Sequence, residues 1–85
     1  MKIEVKYLGL VSAILKSDKE TVNLPAGATL GHLLGYIQQE HGLGDATAAN
    51  VFKAGTFMVN KKNADRDTSL EDGDEVLIMR ILWGG

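Results

Sequence analysis

The residues that could most clearly take part in a reaction lie at the C-terminal end of the 85-residue sequence, which ends on Trp83, Gly84 and Gly85. Glycine lacks a Cβ, so a Gly-Gly segment can adopt almost any backbone conformation and can enter a slot too narrow for other residues. A carboxylate on such a segment could be presented to the active site of another protein. Because chain ends usually fray without having a function, this interpretation depends on whether the rest of the chain is built to hold such a tail.

The other polar residues do not form a catalytic or metal-binding pattern. The chain has no cysteine, which excludes a thiolate nucleophile, a disulfide and a Cys-based metal site. His32 and His41 are nine positions apart without an acidic ligand at a matching spacing, and Asp72 and Asp74 flank a turn glycine. We therefore expect no catalytic residue, no metal ion and no permanently bound cofactor.

Size and composition favour one soluble, mildly acidic domain. Eighty-five residues are enough for a single modest core. The formal net charge is −2 with both signs scattered along the chain, which leaves no basic surface for nucleic acid. No apolar run approaches the ~20 residues of a membrane span. These features predict a cytoplasmic protein with neither a nucleic-acid nor a membrane partner.

The first half of the sequence predicts a hairpin followed by a helix. Ile3, Val5 and Tyr7 alternate with charged residues, as in a half-buried strand, and residues 20–24 alternate in the same way. Apolar residues at helical spacing predict a short helix over residues 10–15. The main helix is expected to follow Thr29, a favoured cap residue, and to end before Gly42. Its apolar residues recur at helical spacing: Leu30, Leu33, Leu34 and Ile37.

The second half predicts short strands and one long last strand. Residues 44–50 are small and polar and indicate a loop or a short helical turn. A third strand is expected over residues 56–60, followed by a turn at Lys61-Lys62 and a very short fourth strand at Asn63-Ala64. Leu70 is expected to point inward before a turn centred on Gly73. The last strand is nearly all apolar, which suits a central position in the sheet.

A central last strand beside the first one, crossed by a helix, is the β-grasp arrangement of ubiquitin-like proteins. We therefore predict an α+β fold with a mixed four- to five-stranded sheet, one main helix packed across it and a short helix after the first strand. Residues 1–82 would form this domain, and residues 83–85 a flexible tail. If Val76 and Ile78 face the core, the alternating residues of the strand face outward. The predicted partner surface consists of these outward residues and Leu82: Leu77, Met79, Ile81, Leu82 and Trp83.

Three segments of the chain resemble the ubiquitin-like sulfur carriers, a family that includes the small subunit of molybdopterin synthase and the sulfur carrier of thiamine synthesis. Residues 59–61 (Val-Asn-Lys) resemble the end of the family's third strand. Residues 70–76 (Leu-Glu-Asp-Gly-Asp-Glu-Val) match the family's turn before its last strand, and Gly84-Gly85 match its terminus. The sequence departs from the molybdopterin-type pattern at Arg80 and at Leu82-Trp83.

The resemblance implies that the Gly85 carboxylate is the working group and that the chain is a carrier rather than an enzyme. A partner resembling the ubiquitin-activating enzymes would use ATP to adenylate this carboxylate. Sulfur transfer would convert it to a thiocarboxylate that serves a second partner, the large subunit of molybdopterin synthase. Carriers for thiamine thiazole or tRNA thiolation and ubiquitin-like modifiers remain alternatives, as does a β-grasp interaction domain without carrier chemistry. Thiamine-type carriers typically lack much of the segment between residues 42 and 56, which favours the molybdopterin type.

Overall fold

The structure, a computed structural model, describes residues 1–53 and 55–80. Within these ranges the chain forms five strands and three helices: β1 (Lys2–Gly9), α1 (Leu10–Leu15), β2 (Lys19–Asn23), α2 (Leu30–Glu40), α3 (Asp45–Lys53), β3 (Thr56–Val59), β4 (Lys62–Asn63) and β5 (Glu75–Arg80). The strands form one sheet in the order β2-β1-β5-β3-β4. Strand β1 pairs in parallel with β5, and the other pairs are antiparallel. The last strand is therefore central and lies beside the first, as predicted.

The core lies between the sheet and the helices because strand and helix each supply one apolar side. Ile3, Val5 and Tyr7 of β1 are buried, whereas the charged residues between them are exposed. Helix α2 buries the predicted stripe of Leu30, Leu33, Leu34 and Ile37 against this side of the sheet. Leu70 is also buried, so it points inward as predicted.

Both ends of α2 follow the local sequence signals. The Thr29 hydroxyl accepts from the His32 backbone N–H at 3.4 Å, while His32 Nδ1 accepts from the Thr29 N–H at 3.0 Å. This reciprocal arrangement is a capping box in which histidine takes the usual place of Glu or Gln. After the C-cap residue His41, Gly42 adopts a φ of 64°, a left-handed conformation that suits glycine.

Helix α3 corrects the prediction of a loop or short turn over residues 44–50. The helix runs on to Lys53 and buries Ala48, Val51 and Phe52 at helical spacing. Asp45 in its first turn and Lys53 in its last turn also suit the helix dipole. The prediction was wrong because it ended the segment before its two large apolar residues. The described residues therefore form three helices, one more than the expected main helix and short helix.

The turn between β3 and β4 lies one residue earlier than predicted. Asn60 and Lys61, not Lys61 and Lys62, form the two-residue connection, with φ values of 51° and 69°. Positive φ at both positions is the backbone of a type I′ hairpin turn, in which asparagine is favoured. The fourth strand therefore occupies Lys62–Asn63.

The longest helix in the described ranges, α2, has 11 residues. A membrane-spanning helix needs about 20 apolar residues. None of the helices that the structure describes is therefore long and apolar enough to cross a bilayer.

Candidate functional site

Strand β5 lies at the centre of the sheet and directly precedes the residues that lead to the predicted tail. It has a hydrogen-bonded neighbour on both sides almost to its end, since Met79 lies opposite Leu8 of β1 and Thr56 of β3, and Arg80 lies opposite Gly9. The predicted tail and three of the five residues of the predicted partner surface lie outside the described part of the chain: Ile81, Leu82, Trp83, Gly84 and Gly85. Their roles, and the domain boundary after residue 82, stay predictions.

The two internal segments that resemble the carrier family contact each other at the start of β5. The Asn60 side-chain amide donates to Asp74 Oδ1 at 2.8 Å, and its carbonyl oxygen accepts from the Glu75 N–H at 3.0 Å. Asp72 Oδ1 accepts from the Lys2 N–H at 2.7 Å. Asp72 and Asp74 thus hold the turn and anchor β5 between its neighbours, which agrees with their interpretation as turn residues.

The predicted orientation of the last strand is confirmed for the residues that the structure describes. Val76 and Ile78 are fully buried, whereas Leu77 and Met79 are only half-buried and lie on the opposite side of the sheet. We call this side the open face, defined by Leu77, Met79 and their neighbours in the adjacent strands. An accessible apolar surface of this kind is typical of an interaction site.

The neighbouring strands extend the open face beyond the predicted residues. Leu77 lies opposite Lys6 and Met58 in the flanking strands. Leu8, beside Met79, is 49% exposed, which is high for a large apolar side chain. A cleft of about 230 Å³ on this face is lined by both apolar and charged residues: Lys6, Leu8, Met58, Lys61, Glu75 and Leu77. Among these residues, Lys6 Nζ lies 3.4 Å from Glu75 Oε1.

Sequence reasoning missed Leu8 and Met58 as parts of this surface. The alternation of β1 would have placed Leu8 outward, because it follows the inward-facing Tyr7. Its position beside Met79, however, depends on the parallel pairing of β1 with β5. The same holds for Met58, whose neighbour Leu77 is far away in the sequence.

A second polar cluster ties the other edge of the sheet to the end of α2. The Tyr7 hydroxyl donates to Glu20 Oε1 at 2.7 Å, and His41 Nε2 lies 3.1 Å from Glu20 Oε2. The pKa of Tyr7 is raised, first by burial and then by the hydrogen bond and the negative charge of Glu20. The phenol therefore stays protonated and serves as a hydrogen-bond donor that joins β1 to β2.

The two histidines, which the sequence analysis did not assign to a metal site, have separate structural positions. His32 belongs to the cap of α2, and His41 contacts Glu20 beyond the other end of the helix. Within residues 1–53 and 55–80, no group of three His, Cys, Asp or Glu side chains could hold a metal ion.

Comparison with known proteins connects this architecture to one family. Residues 5–85 match the model of the ThiS family. No curated protein sequence gives a significant match.

Solved structures with the same fold cover almost the whole chain. SAMP1 from Haloferax volcanii has a TM-score of 0.83 at 20% identity, with all of both chains covered. A protein assigned as molybdopterin converting factor subunit 1 from Pyrococcus furiosus has a TM-score of 0.77 at 23% identity, covering 96% of this chain and 99% of its own. Subunit 1 in a complex of molybdopterin-converting factor subunits 1 and 2 from Helicobacter pylori has a TM-score of 0.68 at 22% identity, with full coverage of both chains. The β-grasp, ubiquitin-like fold is therefore confirmed.

Proposed function

The chain belongs to the ThiS family of ubiquitin-like sulfur carriers, and we propose that it carries sulfur on the C-terminal carboxylate of Gly85. The observation that carries this proposal is the position of the accessible apolar open face on the same strand that leads to the tail. Leu77 and Met79 lie on β5, and only four residues separate the end of this strand from Gly85. An enzyme that takes up the tail is thereby brought against the open face.

The proposed chemistry begins with a carboxylate that is unreactive by itself. With a pKa near ~3.5 it is ionised at neutral pH and is a poor electrophile. A carboxylate oxygen attacks the α-phosphorus of ATP in an activating partner, and pyrophosphate leaves. A sulfur nucleophile then attacks the acyl carbon, AMP leaves, and a thiocarboxylate remains on Gly85. ATP belongs to the partner in this scheme, and the carrier supplies the reacting end.

The open face suits docking to such a partner. A protein interface gains most from apolar side chains at its centre, with charged groups on the rim. Leu77 and Met58 supply the apolar centre, while Lys6, Lys61 and Glu75 surround it. We propose that Leu77 and Met79 contact the adenylating enzyme, and that Ile81, Leu82 and Trp83 extend this contact toward its active site.

We further propose that the carrier is the small subunit of molybdopterin synthase and delivers sulfur to a large subunit in the cytoplasm. The nine-residue helix α3 supports this assignment, because it fills a segment that thiamine-type carriers are expected largely to lack. Two structural neighbours bear the name of the corresponding subunit, and one of them is in complex with subunit 2. A ubiquitin-like modifier is the second candidate. The likeness to SAMP1, whose full name is small archaeal modifier protein 1, favours it.

The experiment that tests carrier chemistry is intact mass spectrometry after incubation with a candidate activating enzyme, ATP and sulfide. We expect the mass to rise by the exchange of one oxygen for sulfur. A chain lacking Gly85 is the control and should keep its mass. Stable binding to the activating enzyme without ATP–pyrophosphate exchange or a mass change would support an interaction domain without carrier chemistry.

The assignment to a pathway needs a second experiment with the thiocarboxylated protein. We expect it to transfer sulfur when combined with a molybdopterin synthase large subunit and the molybdopterin precursor. Covalent attachment of Gly85 to lysine side chains of other proteins, without sulfur transfer, would instead support the modifier.

A further inference from the structure

Arg80, the last residue of β5, is hydrogen-bonded to helix α3. Its Nη1 donates to the backbone carbonyl oxygen of Asn50 and, at 2.6 Å, to the Asn50 side-chain Oδ1. The two residues are 30 positions apart in the sequence. One guanidinium thus joins the strand that leads to the tail with the helix that sequence reasoning missed.

The contact supplies a hydrogen-bond donor to a carbonyl group at the C-terminal end of the helix. The last four carbonyl groups of a helix lack partners within it. Asn50 is one of the last four residues of Asp45–Lys53, so its carbonyl belongs to this set. A cation is also favoured near a helix C-terminus, where the carbonyl dipoles converge. Arginine can bond to two acceptors at once because its guanidinium carries several donors in one plane.

A second close approach occurs at the same place. A Cβ added to Gly55 would lie 3.1 Å from the carbonyl oxygen of Val51 and 3.2 Å from that of Met79. A side chain at this position would crowd both carbonyl groups, so glycine favours the close approach of the residue before β3 to the last turn of α3 and to Met79 of β5. Gly55 therefore lies close to both elements at the place where the Arg80 side chain joins them.

We propose that Asn50 and Arg80 form a clamp through which helix α3 fixes the base of residues 81–85 and so positions Gly85 for adenylation. The inference rests on the proposed function, because it assigns these two residues a part in the same reaction. Both are positioning residues, since neither needs to touch ATP or the reacting carboxylate.

The physical reason is conformational entropy. Each backbone residue that becomes ordered only on binding loses conformational freedom, and this loss makes the binding free energy less favourable. The contact between Arg80 and Asn50 keeps the last residues of β5 ordered before an enzyme binds. If the clamp is broken, the end of β5 becomes more mobile in the free protein and must be ordered again on binding, so productive binding becomes weaker.

The test is ATP–pyrophosphate exchange with the activating enzyme, using the carrier as the varied substrate. Arg80→Ala should raise the KM for the carrier about three- to tenfold and change kcat less than about twofold. Asn50→Ala should raise KM in the same direction but less, because the backbone acceptor remains. Asn50→Asp keeps a side-chain acceptor and should restore the KM. Lys53→Ala is the matched control, since it removes another cation from the same helix turn and leaves the bonds of Arg80 in place.

The double variant separates the clamp from a direct contact between Arg80 and the enzyme. If Arg80 acts through Asn50, adding Asn50→Ala to Arg80→Ala should raise KM no further. Independent, multiplying effects of the two substitutions would overturn the proposal. So would an unchanged KM in Arg80→Ala accompanied by a lower melting temperature, because the contact would then serve only stability.

A measurement on the free protein distinguishes failure of the clamp from failure of the carrier function. The heteronuclear NOE of the Arg80 Nε–H group should be high in the wild-type protein and lower in Asn50→Ala. A low value in the wild type would overturn the clamp. A high value in a chain that no activating enzyme adenylates would overturn the carrier function, and with it the positioning role, but not the contact itself.

Discussion

Met79→Asp is the substitution that best separates docking on the open face from stability of the fold. Met79 is half-buried, and its neighbours in the adjacent strands, Leu8 and Thr56, carry no charge. A new carboxylate at this position therefore faces no directly opposed cation. Leu77 is a poorer site for the test because Lys6 lies opposite it and could pair with the new charge.

The expected cost to the free protein is modest. Complete burial of a methionine side chain stabilises a fold by about 1.5–3 kcal/mol, and a half-buried one contributes roughly half of that. Aspartate in a strand costs up to about 1 kcal/mol more. The free energy of unfolding should therefore fall by about 1–2 kcal/mol, and the melting temperature by roughly 5–15 °C.

The expected cost to the complex is larger. A charge buried without a partner in an apolar interface costs several kcal/mol. A loss of about 3 kcal/mol of binding free energy would raise the Kd for the activating enzyme by a factor on the order of 100. Thermal unfolding and titration calorimetry on the same variant measure the two effects separately.

Two control variants define what would refute this reasoning. Gln39→Asp places the same change of charge on an exposed position of α2, and Ile78→Asp places it in the fully buried neighbour of Met79. If Met79→Asp unfolds as readily as Ile78→Asp, Met79 is a core residue. If it binds as well as Gln39→Asp, the open face is not the docking surface.

Four further predictions test the tail, the Tyr7 cluster and the helix cap. Removal of Gly85 should leave thermal unfolding unchanged and abolish ATP–pyrophosphate exchange; near-normal exchange by the folded truncated chain would contradict carrier chemistry. Trp83→Ala should weaken partner binding by roughly 2 kcal/mol with little effect on folding. Because the chain has one tryptophan, its emission should shift to the blue when the partner binds, whereas blue, quencher-protected emission in the free protein would place the ring on its own domain. The raised pKa of Tyr7, caused by burial and by Glu20, contributes stability that is complete below the unfolded-state pKa of ~10 and is lost as pH rises above it. Tyr7→Phe should therefore flatten the alkaline limb of the stability–pH curve, and identical limbs would show that Tyr7 is not its cause. His32→Ala should lower the free energy of unfolding by about 0.5–1 kcal/mol, whereas His32→Gln should retain most of it; equal losses would mean that the side-chain bond of the cap contributes nothing.

The parts of the fold that could be predicted are those encoded by local patterns. Alternation located β1 and β2, and the stripe from Leu30 to Ile37 located α2, because each of these elements buries one regular side. The turn at Gly73 located the start of β5. These signals need only neighbouring residues, and the order of elements then favoured one known arrangement of the sheet.

The parts that could not be predicted depend on contacts distant in sequence. Helix α3 begins with small residues whose apolar side is weak until Val51 and Phe52 are included, so its amphipathic pattern was lost when the segment was cut at residue 50. Leu8 and Met58 joined the open face only through the pairing of their strands with β5. Local patterns do not specify such pairings.

Arg80 shows how a departure from a family pattern acquires a physical reason. Sequence reasoning found no partner for this residue, and the resemblance to the carrier family implies an aromatic residue or proline at this position in many relatives. Neither of those side chains can donate a charged hydrogen bond to the end of a helix, whereas the Arg80 guanidinium bonds to both oxygens of Asn50. The departure at the end of β5 and the helix at residues 45–53 are therefore two parts of one contact.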